Sequence, residues 1–439
     1  MNGPQHPEAK PKPNAAALLP ILLFLVIYLG SGIFFEYIHH VEGRMGFYII
    51  SVVVAFGIAL IVAFLQNRSL GFDEKIHLCA QGIGDDNITI MLLIFLLAGA
   101  FSGIASAAGG AVSTANMLLN IIPARFAVSG LFIIACLISM AMGTSVGTIT
   151  VLAPIAAAVA ENGGLSLPLC VGTVVGGAMF GDNLSFISDT TIAATKTQGV
   201  AMKDKFRTNI KIALPAAIAT LVLLIVLSLG SDPAPVGRFE FQPLLALPYF
   251  VVLALALLGV NVFVVLLVGI LLFLVMGLGF GGLGYAGAFA AMGDGTSGMF
   301  ETMIVTILVA SISALMKAHG GFEAILQFIR THFSGKRGGM FGIALLTAVM
   351  DIATANNTVA IVIAAPIAKD ISDEFGVSGK TTASLLDTCS CILQGVIPYG
   401  AQLLVAAGIT GISSFSIVPF LFYPFLLLIF VAISILRAK

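Results

Sequence analysis

Tryptophan is absent, and charge is scarce: Asp, Glu, Lys and Arg together make up 9% of the chain. A soluble domain carries roughly a quarter of its residues charged, so this shortage excludes an ordinary water-facing surface. The net charge is −1, and no basic patch stands out, which excludes the phosphate-neutralising surface of a nucleic-acid partner. Five cysteines (Cys79, Cys136, Cys170, Cys389, Cys391) fall mostly inside apolar runs. Their spacing fits neither a disulfide framework nor a zinc site, so they are read as packing residues. The six histidines lie in tails, loops or the ends of apolar runs, leaving proton handling in the interior to carboxyls. A nucleotide loop is also missing. The run at residues 377–382 ends like one, but Glu374 stands where its first glycine belongs. No cofactor is expected.

What is present is hydrocarbon. Apolar residues make up 59% of the 439, and mean hydropathy is +1.09. Runs of about 17 to 25 apolar residues are long enough to cross a bilayer core as helix. Roughly ten to twelve are visible, clear ones being 17–37, 47–65, 88–108, 210–229, 244–260, 263–279, 300–315 and 415–436. The first is too long for a cleavable signal and follows a short polar tail, residues 1–16. The expected fold is an all-α polytopic membrane protein, with the lipid bilayer as its main partner.

The chain matches itself at a spacing of 211 to 212 residues, and the matches fall on punctuation residues. Gly82 and Gly84 match Gly293 and Gly295; Ser102, Gly109 and Gly110 match Ser313, Gly320 and Gly321; the string from Ala153 to Ala156 matches that from Ala365 to Ala368. The chain therefore divides into a first repeat, 17–230, and a second, 231–439. Equivalent loops differ in basicity. Residues 196–211 carry five Lys or Arg and their match 403–415 none; residues 317–337 carry four and their match 107–125 one. Basic loops stay cytoplasmic, so the halves are expected to lie inverted, with both termini cytoplasmic. Inverted repeats place a site near the midplane between interrupted helices.

Two pairs of interruptions are legible. The run 126–160 contains Met142-Gly143-Thr144-Ser145-Val146-Gly147-Thr148 and then Pro154; its counterpart reads Thr354-Ala355-Asn356-Asn357-Thr358 and then Pro366. Gly and Pro favour a break or re-entrant turn there. Unwound backbone at that depth must line a polar cavity or be buried in protein, and small hydroxyl and amide side chains beside bared carbonyls suit a hard cation such as Na⁺. The bland reading is that small residues merely let helices pack closely. The second pair is residues 181–191, holding Asp182 and Asp189 among hydroxyls, and residues 394–402, holding Gln394, Pro398, Tyr399 and Gln402 without a carboxylate. An ionised Asp at mid-depth costs about 2.5–3.5 kcal/mol on insertion scales, so such groups mark function.

The apolar runs around these breaks hold acids and no Arg or Lys: Asp182, Asp189, Glu301, Asp351 and Asp387 are the ones inside them. An acid-only interior favours cations and protons over anions. The cation and proton ligands are expected to be Asp182, Asp189, Asn183, Ser185, Ser188, Thr190, Thr144, Ser145 and Thr148, with Na⁺ at Asp182, Thr144, Ser145 and Asn183. The second-half residues Asn356, Asn357, Thr358, Asp387, Gln394, Tyr399 and Gln402 are assigned to an organic cargo, and Glu301 and Asp351 to a second proton site.

The string from Phe180 to Thr191, with Gly181-Asp182-Asn183-Leu184-Ser185-Phe186-Ile187-Ser188-Asp189-Thr190-Thr191, resembles the signature of NhaC-type sodium/proton antiporters. Gly143-Thr144-Ser145 with Gly147-Thr148 resembles the family's other polar break. Phe186 departs from the pattern, which usually has Pro there; Pro398 holds that place in the second half. The resemblance implies a secondary transporter of the ion transporter superfamily, with a mobile domain moving elevator-like against a scaffold. A homodimer in a bacterial cytoplasmic membrane is a further expectation from it. Na⁺/H⁺ exchange is the leading reading. Na⁺- or H⁺-coupled carriage of an amino acid or small carboxylate is the alternative, with helix N-termini at Ser145 and Asn357 binding its anionic group. An enzyme is rejected: intramembrane aspartyl proteases need Gly where Met179 stands.

Overall fold

A computed structural model describes residues 11–39, 49–229, 239–258, 260–354, 356–398 and 400–438. Tyr399, one of the sequence-assigned cargo residues, and Ala355 lie outside the described residues. Every regular element among the described residues is helical. Among the described residues, eight helices are long and apolar enough to cross a membrane, or up to nine if the bent pair Ala401–Thr410 and Ser414–Phe420 is one span. Three shorter apolar helices, Val52–Leu65, Pro243–Ala256 and Phe422–Arg437, accompany them. Fewer full-length spans than the expected ten to twelve result because breaks divide the runs. The run 415–436 is one such case: it is split at Leu421 into a 3₁₀ turn, Val418–Phe420, and the helix Phe422–Arg437.

Apolar side chains point outward on the peripheral helices. Leu22 and Val26, Val54, Ile58 and Ile61, Val222 and Val226, and Leu267, Leu271 and Val275 are exposed at helical spacing, as lipid-facing stripes are. Polar side chains are gathered inside. The hydrophobic window within residues 167–197 is 100% buried, against 28% for Ala15–Ile33. The acid-bearing segment therefore sits at the centre of the protein, away from lipid.

Elements of the two halves correspond at the spacing seen in the sequence. Gly110–Leu119 answers to Gly321–His332, Ala127–Met142 to Gly335–Thr354, Ser145–Gly163 to Asn357–Phe375, Leu167–Leu184 to Gly379–Gln394 and Asp189–Thr197 to Ala401–Thr410. Their caps agree in kind. Thr144 (φ −154°, ψ 126°) accepts from the Gly147 N–H, and Asn356 (φ −150°, ψ 116°) accepts from the Val359 N–H. Both satisfy a helix's orphan N-terminal donors. At the other end, Gly164 and Gly376 adopt the left-handed conformation, at φ 64° and 65°, which only glycine enters without strain. The short helices cross over: Asp189–Thr197 packs on Asn357–Phe375, and Ala401–Thr410 on Ser145–Gly163.

The breaks are narrower than the sequence implies. The first pair lies between Gly143 and Ser145, with Gly143 left-handed at φ 72°, and at Asn356 in the second half. Pro154 and Pro366 lie inside continuous helices. The next break spans only residues 185–188, because Leu167–Leu184 remains helical through Gly181 and Asp182. Gly181 serves packing. A Cβ there would meet the Ser139 side chain and lie 2.6 Å from the Cys136 carbonyl oxygen on Ala127–Met142.

Gly181→Ala is therefore expected to separate these two helices and to lower unfolding stability by about 1–3 kcal/mol, the usual cost of overpacking. Thermal unfolding in detergent checks this against Gly30→Ala, where a Cβ has nothing within 4 Å.

Candidate functional site

Asp182 sits in the last turn of Leu167–Leu184 and is 1% exposed. Three donors from three segments meet its carboxylate. Ser145 Oγ donates to Oδ2 at 2.8 Å and Asn357 Nδ2 to the same oxygen at 3.3 Å, while Ser188 Oγ donates to Oδ1. Ser188 Oγ also lies 2.7 Å from Thr190 Oγ1. Gln402 Nε2 donates to Ser145 Oγ at 3.0 Å, tying a residue of the second-half break to the first. Asp189 begins the next helix: its Oδ1 accepts from the Thr190 N–H at 3.0 Å, and its Oδ2 accepts from Thr358 Oγ1 at 2.7 Å.

Ser145, Asp189 and Asn357 are each the first residue of a helix, and Gln402 is the second residue of another. Four helix N-termini thus converge on two carboxylates. Each N-terminus carries roughly half a positive charge, and such ends hold anionic groups. Hydroxyls suit a site that changes occupant, because each has one proton to donate and lone pairs to offer. They bond a bare carboxylate in one state and present oxygen to a cation in another.

The split between a first-half ion site and a second-half cargo site is not spatial. Asn357, Thr358 and Gln402, assigned to cargo from the sequence, touch the carboxylates or the serine that holds them. Some expected cation ligands are turned elsewhere. Thr144 Oγ1 caps its own helix, accepting from the Gly147 N–H at 3.3 Å, and Thr148 Oγ1 donates to the Thr144 carbonyl at 2.8 Å. Ser185 Oγ donates to the Met140 carbonyl and accepts from the Ile187 N–H, shaping the break where Phe186 replaces the family's proline. Phe186 stacks on Phe206 with ring centroids 4.8 Å apart. Asn356 is a cap, and Gln394 is buried at the end of its helix. Glu301 is exposed in the first turn of Phe300–Ala318, away from this cluster. Asp351 is wholly buried beside the Gln394 backbone.

The acid-only interior needs correction. Lys205 is 1% exposed and forms an ion pair with fully buried Asp387. Asn183, expected at the Na⁺ site, lies in this second cluster: its carbonyl accepts from Lys205 and from Asn209 Nδ2 at 3.1 Å, and its side-chain oxygen also accepts from Asn209. The sequence reading missed Lys205 and Asn209 because they sit among the exposed basic residues after Lys196. Helical phase was the available signal: Lys205, Asn209, Ala213, Ala217, Leu224 and Ser228 share the buried face of Met202–Leu229.

The sequence model of the Na⁺/H⁺ antiporter family matches residues 46–229 and 240–438. The chain belongs to the Na⁺/H⁺ antiporter family. It is 24% identical over 440 residues to the malate-2H⁺/Na⁺-lactate antiporter of Bacillus subtilis, covering 93% of this chain and 92% of that one. It is 24% identical over 406 residues to the Na⁺/H⁺ antiporter NhaC of the same organism, covering 83% and 88%. Among solved structures, the YdaH transporter of Alcanivorax borkumensis shares the fold, with a TM-score of 0.64 at 13% identity over 96% of this chain and 98% of that one. The protein is a polytopic helical membrane transporter of this antiporter family.

Hydrogen bonds to a charged group contribute about 1.5–3 kcal/mol each. Ser145→Ala, which removes a hydroxyl oxygen offered to the ion as well as a donor to Asp182, is expected to raise the Na⁺ concentration for half-maximal exchange by about tenfold or more. Flux titration with NaCl checks this against Ser31→Ala, whose hydroxyl donates to the Tyr28 carbonyl within its own helix.

Proposed function

We propose that the protein exchanges Na⁺ for H⁺ across a bacterial cytoplasmic membrane, with Asp182 and Asp189 bearing the cation and the proton in alternation. The observation that carries this reading is the buried Asp182 carboxylate held by Ser145, Ser188 and Asn357 from both halves of the chain. When Na⁺ is bound, the carboxylates and the Ser145, Ser188 and Thr190 hydroxyl oxygens face it. When Na⁺ leaves, a proton takes its charge, and the hydroxyls reverse their hydrogen bonds. The charge in the site is thereby kept low in both loaded states, which lets the occupied site cross a low-dielectric barrier while the bare, charged one does not.

The two halves are read as inverted repeats with both termini cytoplasmic. The interrupted helices of each half, packed crosswise on those of the other, make the moving unit of an elevator-type cycle. A cavity lined by Asp85, Thr197, Lys317, Lys369 and Asp370 lies where this unit meets the helices Phe72–Ile83 and Phe300–Ala318, and fits a water-filled approach on the cytoplasmic side. Asp351 is read as a second proton site; Glu301, exposed and remote, contributes less. A homodimer through the scaffold completes the proposal.

A second reading is coupled carriage of a small carboxylate. Likeness to the malate-2H⁺/Na⁺-lactate antiporter over 93% of this chain and the four converging helix N-termini favour it, since such ends bind anions. The buried lysine is already engaged by Asp387, which favours cation exchange.

Proteoliposomes with an entrapped pH dye separate the two. Na⁺ or Li⁺ added to one side is expected to move protons in the wild-type chain without any organic solute, and Asp182→Asn is expected to abolish that movement while the protein folds and inserts normally. Proton movement only when a carboxylate or amino acid is supplied overturns exchange in favour of coupled carriage.

A further inference from the structure

The Lys205 ammonium has three protons and three oxygen partners: Asp387 Oδ2, the Asn183 carbonyl, and Thr191 Oγ1 at 2.8 Å. Thr191 Oγ1 itself lies 3.4 Å from Asp387 Oδ2. These oxygens come from three segments: the end of Leu167–Leu184, the start of Asp189–Thr197 and the middle of Gly379–Gln394. The first two flank the break that carries Asp182. Asn183 has a carbonyl to offer because its helix stops one residue later, leaving terminal carbonyls without intrahelical partners.

A carboxylate, a bared carbonyl and a hydroxyl, all buried, form the oxygen set that hard cations select. It shares with the Asp182 site a buried carboxylate and hydroxyl oxygens, Ser145 and Ser188 there and Thr191 here, but a bared carbonyl takes the place of the Asn357 amide and a side-chain ammonium fills the set. We propose that the Asp387, Asn183 and Thr191 oxygens form a second monovalent-cation cage and that Lys205 occupies it as a tethered cation. The tether neutralises Asp387 permanently, so only Asp182 and Asp189 exchange their charge partners with solution. It also keeps the two ends of the break joined to the second half while the neighbouring site empties and fills. The role of Lys205 is thus positional and electrostatic, outside the ions carried.

Removing the tether without removing the cage exposes this directly. Purified Lys205→Ala, assayed for ²²Na⁺ binding and for Na⁺-dependent thermal stability with choline as control, is expected to bind about one further Na⁺ per chain than the wild type. Its melting temperature is expected to rise more steeply with Na⁺, as a ligand bound only by the folded state requires. Lys205→Ala combined with Asp387→Asn, which removes the cage's charge, is expected to lose the extra ion. A Lys205→Ala chain that unfolds in choline and is restored by Na⁺ supports the proposal equally. The proposal is overturned if Lys205→Ala binds no more Na⁺ than the wild type, or if Na⁺ stabilises or restores it no better than choline. These readouts measure binding and folding, so they stand or fall separately from the direction and partner of transport.

Discussion

The structure depends on one electrostatic problem: a carboxylate, Asp182, kept out of water at the centre of a membrane protein. An isolated buried charge is far too costly to persist. Here the cost is offset by three donors and by four helix N-termini that end around it. Each N-terminus begins where the helical run is interrupted. The breaks, the duplicated break architecture and the cross-packing of the short helices can all be traced to the need to bring dipoles and hydroxyls to this place. The polar backbone of residues 185–188 is enclosed by protein, as irregular backbone in a membrane protein must be.

A second charge cluster stands beside the first and differs from it in being self-contained. Lys205 and Asp387 pair with one another, the Lys205 ammonium also donates to Thr191 Oγ1 and the Asn183 carbonyl, and Asn209 donates to Asn183. Buried ion pairs rarely add much stability over apolar packing, but breaking one is severe. Their value lies in fixing geometry, and this pair fixes both edges of the Asp182 break. The equivalent positions in the opposite half are apolar or uncharged: Ile417 answers to Lys205, Val175 to Asp387 and Gln394 to Asp182. Helices recur at matching positions in the two halves, while the charged residues of this cluster stand at only one of each pair of positions.

Much of this was legible in the residues. The 211 to 212 spacing anticipated the helix pairs, because caps such as Thr144 and Asn356, or Gly164 and Gly376, are dictated by backbone conformation and survive where apolar residues drift. The cost of acids in hydrocarbon singled out Asp182 and Asp189, and both carboxylates lie among hydroxyl donors at helix ends. Two features escaped. Gly181 and Pro154 look like breakers, yet a small residue in a membrane helix also serves close packing, and proline is accommodated where neighbouring groups relieve it. Lys205 looked like one more cytoplasmic charge, since loop basicity and helical phase compete over residues 202–211, and only the phase separates Lys205 from exposed Lys203 and Arg207. Asn357 and Gln402 stand beside the first-half residues Asp182 and Ser145, which escaped for a related reason: a linear sequence shows which half a residue belongs to, not that the halves interlock.

The central claim, that Na⁺ and H⁺ compete for one pair of carboxylates, is tested most directly without transport. Adding NaCl to the purified protein in weakly buffered detergent should release protons, reported by an indicator dye, with choline chloride giving none and Asp182→Asn abolishing the release. Na⁺ binding with no accompanying proton release across the pH range in which the protein exchanges ions would contradict the account.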